Sequence, residues 1–512
     1  MIKSKRFKSL IATILTIAMI GVFTGCNNNN SGSSKKDSLV VATAYDAKSL
    51  DPYAVNDVAS ANVMMQIYQT LIKEGDDGKL EPLLAESFEQ VDETIFKFKL
   101  KKGVKFHNGE EMKASDVKFS FTKAAQSAPI AHIMGDIDID SFVIDDDYTI
   151  SFKIKNPSSA FLAGLVHSGA AILSEKAYTE AGENYGMSPI GTGPFKFVSW
   201  AKGDNVVLER FDDFYGEKPA LKNITIKVIP EPTNRTIELE SGGVDIAYEI
   251  SANDLKRIEE NENLKLVRGF DYSVQYLGIN TQKAPFNNEK VRQAITHAID
   301  VESVVESAYR GIGKVAKGPM SPTIKYYNDG LQPLEYNVEK AKKLLAEAGY
   351  PDGFKAEIWT NEKKERVDMA TIIQEQLKQV GIEIDVKVFE WGAYLSGLDN
   401  AQHDMYFLGW TAETTDPHTA LYALYHSSAK GAGGNRSFFE DSKVDELLSK
   451  GATMLDSPER EAAYKEVQKI LVEKAPAVFM ENGEQVVGTT KQVTGFKTSP
   501  VGYHVLYNVK FE

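Results

Sequence analysis

The chain has 512 residues, a formal net charge of −14, and a composition of 42% apolar, 10% aromatic and 25% charged side chains. This is a globular composition with length for about three ordinary domains, and its acidity, with no basic stripe carrying interleaved aromatics, excludes nucleic acid as a partner. Past the N-terminal leader no segment reaches the roughly 18 apolar residues that a spanning helix needs, and no repeat of fixed period is present.

In chain order, the first element is the leader. Lys3, Lys5, Arg6 and Lys8 precede an apolar run, Leu10 to Phe23, of 14 residues. That is too short to cross a bilayer and suits an export signal. The run ends in FTGC, and Cys26 after its Thr-Gly pair resembles the lipidated cysteine of bacterial lipoproteins, with Phe23 where Leu is usual. The resemblance implies a signal peptide over 1–25, lipid on Cys26, and anchoring on the extracellular face of the cell membrane. Without the leader's four positive charges the net charge moves from −14 to −18. Cys26 is the only cysteine, so the mature fold holds no disulfide and no thiol chemistry. The polar stretch over 26–38 has nothing to bury and reads as a flexible tether.

Helices and strands then mix, which predicts an α/β fold. LVVATAY (Leu39 to Tyr45) reads as a buried strand, and Val58, Val63, Met64, Ile67, Tyr68 and Leu71 fall at helical spacing. FKFKL, TISFKIK and ITIKVI alternate with period two, each with one covered and one wet face. Asp145 to Asp147 lies between two such runs and reads as a solvated hairpin loop rather than a cation site. Val291 to Ile299 marks an amphipathic helix. Asn337 caps another that stops at Gly349, a third over Val367 to Val380 feeds IEIDVKVF, and Ser457-Pro458 opens the last long helix.

One late stretch concentrates chemistry. Met405 to Trp410 is an unbroken apolar run, which suits a strand covered on both faces, as in a parallel sheet. It ends in a turn carrying Glu413 and Asp416, and Pro417 opens a helical pattern. Ligands of open α/β sheets collect beyond the carboxyl ends of strands, so Trp410 and two acids stand where a ligand would lie. A plain acidic surface turn is the alternative.

The block Leu83 to Phe121 is similar to the bacterial extracellular solute-binding proteins of family five, the oligopeptide, dipeptide and nickel receptors of ABC importers. GTGPFKFVSW, INTQKAPFNNEKVRQAITHAID and EKAKKLLAEAGYPDGF resemble the family's later motifs in the family's order. The final quarter, LYALYHSS and GNRSFFEDSKVDELL, looks most like the oligopeptide branch. Lys113 departs from the family, which usually has a capping Thr there.

The resemblance implies a two-lobed periplasmic-binding-protein-like fold. The first lobe would take 39–52, 189–269 and 484–512, an inserted subdomain 53–188, and the second lobe 270–483. Hinge crossings would fall near Tyr272 to Tyr276 and Glu481 to Gln485. It also implies a monomer that needs no cofactor and delivers peptides to membrane permease and ATPase subunits. The peptide would add as a strand between Trp410, Thr411 and Ala412 on one side and Tyr53 to Val58 on the other, with Asn56 and Val58 in reach. The family's amine-anchoring Asp falls on Glu413, with Asp416 as fallback anchor. Trp391 and Trp410 match pocket aromatics, although Trp391 also suits a core cap, and Tyr272 and Tyr276 sit at the crossing.

Two other readings compete. Asp416-Pro417-His418 resembles the nickel receptors' motif, and His426 lies two helical turns beyond His418, so a receptor for nickel or a metal complex is the alternative. An enzyme is disfavoured: HExxH, GxSxG, P-loop and CxxC are all missing.

Overall fold

The computed structural model describes residues 36–75 and 78–512. Cys26, the leader and most of the tether therefore lie outside the described residues. Asp37–Glu512 forms one compact unit.

Its main elements run β1 (Ser38–Thr43), α1 (Val58–Ile67), β2 (Ala85–Gln90), β3 (Ile95–Leu100), α2 (Ala114–Gln126), β4 (Ile137–Asp146) and β5 (Thr149–Ile154). There follow β6 (Phe195–Ala201), β7 (Asn205–Arg210), β8 (Asn223–Val228), β9 (Ile246–Ala247) and the long β10 (Leu264–Ile279). Next come α3 (Glu289–Ala298), α4 (Val301–Tyr309), α5 (Val338–Glu347), β11 (Phe354–Asn361), α6 (Lys364–Lys378), β12 (Ile382–Phe389) and α7 (Trp391–Asp399). The chain closes with β13 (Met405–Thr411), α8 (Pro417–Tyr425), α9 (Ser442–Thr453), α10 (Pro458–Lys474) and the long β14 (Ala477–Thr490).

Local chemistry explains the boundaries. Asn288, Asn337 and Ser457 accept from backbone N–H groups in the first turns of α3, α5 and α10, donors that would otherwise be unsatisfied. At Lys113, which lacks the capping hydroxyl, only the reciprocal bond of the cap is made: the Asp116 carboxylate accepts from the Lys113 N–H at 2.9 Å. Of the three acids at the β4–β5 hairpin, Asp145 and Asp146 end β4 and only Asp147 lies in the turn, and they are committed separately: Asp145 to Lys97 and Asp147 to Lys113, each at 2.8 Å, and Asp146 to the N–H of Tyr148 at 2.7 Å.

One sheet of eleven strands organises the molecule, in the order β12-β11-β13-β10-β14-β9-β1-β8-β7-β6, with a short strand, Lys314–Val315, also on β14. β2-β3-β5-β4 form a separate four-stranded sheet. The large sheet is mixed. β13 runs parallel to β11 but antiparallel to β10, so the expectation of a parallel surrounding holds on one side only. β13 is nonetheless covered on both faces, because Met405 and Phe407 enter one core while Tyr406 and Leu408 enter another.

The fold is two-lobed. Leu39 and Val41 join a core shared with the four-stranded sheet, and Ala42 points to a smaller core behind it. The β11–β13 half has its own pair of cores, one under α3 to α6 and one under α7 to α10. β10 and β14 run through both halves, and their register slips between Phe270/Glu484 and Val274/Asn482, then between Gln275 and Tyr276.

Candidate functional site

The site is built where β13 ends. β10 pairs with β13 from Met405 to Thr411, but β11 pairs with its other edge only at Met405 and Tyr406. Tyr394 then covers that edge by donating its hydroxyl to the Phe407 carbonyl at 2.6 Å. No strand among the described residues pairs with the edge beyond, leaving backbone groups over 408–412 for an incoming chain.

The turn that follows is tied down by short polar side chains. Asp416 is the N-cap of α8: its Oδ1 accepts from the His418 N–H at 2.9 Å. Thr414 Oγ1 accepts from the Asp416 N–H at 3.1 Å, and Thr419 Oγ1 donates to the Asp416 carbonyl at 2.9 Å. Trp410 Nε1 donates across the turn to the Thr419 carbonyl at 2.8 Å, and the Ala412 N–H donates to the Tyr272 carbonyl at 3.3 Å. Pro417 at the first helical position fixes φ where no N–H is needed.

Within this rigid turn the two acids have different fates. Asp416 is buried, 4% exposed, and both of its oxygens take Arg460 Nη2, at 2.7 and 2.8 Å. Arg460 is 2% exposed, lies over the rings of Tyr326 and Tyr464, and also donates through Nε to the Gly451 carbonyl at 2.9 Å. Burial works against its charge, but the Asp416 carboxylate outweighs that and holds its pKa above the ordinary value. As an anchor for a ligand ammonium, Asp416 is therefore already occupied. Glu413 is exposed, and no hydrogen bond or ion pair ties it to a described residue.

The remaining candidates fall in several places. Trp391 opens α7, is 47% exposed and sits 6.0 Å from the Tyr394 ring, so it is not a core cap. Tyr272 is buried and donates its hydroxyl to Glu74 at 3.1 Å. Tyr276 is a core residue, 2% exposed and edge-on to Tyr406, rather than a group presented to a ligand. Asn56 is exposed and shares a hydrogen bond with His132, and Val58, 47% exposed, lies beside Gly502. His418 and His426 do share a helix face, but Tyr422 fills the space between them, its ring 4.7 Å from one and 4.3 Å from the other. Both ring nitrogens of His426 are engaged by Ser449 and Ser428. No group of three or more His, Cys, Asp or Glu able to hold a metal occurs among the described residues.

Sequence reasoning missed a buried acid at the crossing. Glu481 on β14 lies opposite Gln275 and is 2% exposed. Burial, then the nearby Asp271 carboxylate, pushes its pKa up from 4.5 to about 8, with Lys363 pulling back and Glu484 adding to the rise. The folded protein thus keeps a proton that the unfolded chain releases, so stability falls as pH rises from the ordinary carboxyl range to about 8. Glu481→Gln, which cannot ionise, is expected to gain thermal stability over the parent as pH goes from about 5 to about 8. Melting curves of both proteins across that range check this, and a constant offset would mean that Glu481 ionises normally.

Comparison with known proteins places this geometry among relatives. Residues 79–432 match the family model described as bacterial extracellular solute-binding proteins, family 5 Middle. A glutathione-binding protein, GsiB, of Pectobacterium atrosepticum is 32% identical over 473 residues, which span 90% of this chain and 91% of that protein. The periplasmic binding protein DppA of Helicobacter pylori, solved in complex with the peptide STSA, is 33% identical with a TM-score of 0.72, covering 93% of this chain and 98% of that one. HbpA2 of Haemophilus parasuis superimposes with a TM-score of 0.87 at 28% identity, covering 93% of this chain and all of that one (100%).

Proposed function

Because this chain belongs to the bacterial extracellular solute-binding proteins of family 5, we propose that it captures peptides between its two lobes and hands them to the permease and ATPase of an ABC importer. The observation that carries the reading is the bare edge of β13 running into Glu413. An extended peptide adds there as a strand, its backbone satisfied by 410–412 whatever its side chains. Its ammonium ends beside a carboxylate that has no other partner among the described residues. The relative solved with the peptide STSA supports the same class of ligand. Asn56, Val58 and Trp391 are exposed and would complete the walls.

The leader and FTGC support lipid on Cys26 and attachment to the outer face of the membrane. The protein acts as a binder without cofactor or turnover.

One experiment addresses ligand and anchor together. The protein is extracted in detergent from the membranes of its own host and weighed by native mass spectrometry, then again after denaturation. The expected result is a population of bound masses that fragment as peptides, and a lipid adduct on Cys26 that Cys26→Ala abolishes. A bound metal complex, or unmodified Cys26 in membrane-extracted protein, would overturn the corresponding half of the reading.

A further inference from the structure

A contact between the two lobes lies directly behind the turn that carries Glu413. Residues 155–160 form the loop after β5, and Phe161 fixes the end of that loop in the first-lobe core, its ring 4.9 Å from Phe96. From this loop Ser159 reaches the carboxyl end of α9, whose Val444 and Leu448 belong to a second-lobe core. The Ser159 N–H donates to the Ala452 carbonyl at 3.0 Å, and its hydroxyl lies 3.2 and 3.0 Å from the Gly451 and Ala452 carbonyls. Arg460 Nη2, the same nitrogen that grips Asp416, donates to Ser159 Oγ at 2.6 Å. The last carbonyls of a helix have no partner within it. Two of those of α9, on Gly451 and Ala452, accept from a residue of the other lobe.

The two layers of this contact behave differently when the lobes part. Asp416, Gly451 and Arg460 all belong to the α7–α10 side, so their mutual bonds persist in an open molecule. Within this contact only the bonds of Ser159 cross the gap among the described residues, and every group they involve is polar and rehydrates on opening. We propose that Ser159 is a cross-cleft latch, docking on the α9 carbonyls and Arg460 when the lobes shut, at the base of the turn that holds the ligand. The inference rests on the ligand-capture reading. It adds that closure is held by a particular hydroxyl, which governs how long the ligand stays.

The test traps the contact. Ser159→Cys with Ala452→Cys, in a Cys26→Ala background, puts the chain's only two thiols on residues joined by a backbone hydrogen bond. Oxidation should cross-link the pair quickly in protein as purified with its ligand, slowly after unfolding and refolding strip it, and quickly again once trialanine is added. Equal rates in loaded and stripped protein would make the contact permanent, and no cross-link in either would mean that it does not form in solution. Either result overturns the latch. In a second arm, Ser159→Ala should speed ligand dissociation about tenfold with association unchanged, since a hydrogen bond to a charged group is lost. Unchanged dissociation also overturns it. Should trialanine fail to bind, the peptide reading is at fault, while the loaded and stripped samples still report on the latch.

Discussion

Glu413→Gln is expected to weaken peptides with a free amino terminus by about 2–5 kcal/mol, roughly 30- to several-thousand-fold in affinity. An ammonium enclosed between lobes loses its water, and leaving it unpaired costs far more than exposing it. Of the two acids on the turn, Asp416 has both oxygens on Arg460 and cannot substitute. N-acetylated peptides should bind the parent poorly and respond little to the substitution. Titration calorimetry of both peptides against both proteins forms a cycle that isolates the charge pair. Equal affinity of the parent for free and acetylated peptides would remove Glu413 from the amine site.

The second large effect is on stability. Arg460→Met keeps apolar bulk against Tyr326 and Tyr464 but strands the buried Asp416 carboxylate. Removing one partner of a buried pair typically costs about 3–5 kcal/mol, mostly because the other charge is left uncompensated. The urea midpoint of Arg460→Met should fall accordingly. Adding Asp416→Asn to it should recover most of the loss, since no unpaired charge then remains. A double variant as unstable as the sum of the two singles would show that packing and helix capping, not the stranded charge, carry the effect.

These two residues also mark the limits of reading the sequence. The apolar run Met405 to Trp410 announces a strand because no polar alternation is possible with cores on both faces, and that strand is present as Met405–Thr411. Caps at Asn337 and Ser457 are legible because they depend on neighbours three residues away. Arg460 is different. Flanked by Glu459 and Glu461 in the first turn of a helix, it reads as one more surface charge, and nothing local reveals a carboxylate 44 positions earlier in the chain. Glu481 was hidden for the same reason: only the pairing of β14 with β10 shows that it is buried. The histidine pair failed in a subtler way. The two-turn spacing from His418 to His426 puts them on one face, but the residue at the turn between is Tyr422, and its ring fills the gap.

The order of the large sheet sets when the protein can fold. β14 is the last long strand to be synthesised, yet it lies in the middle of the sheet, between β10 and β9. Until Ala477–Thr490 has been made, β10 and β9 each expose an unpaired edge, and the lobes have only one of their two joining strands. Native pairing is thus long-range, such as Gly488 with Ala247, which favours slow, late acquisition of structure. The same delay leaves sheet edges open to foreign strands, so a chain truncated before β14 is expected to aggregate rather than fold as a smaller domain.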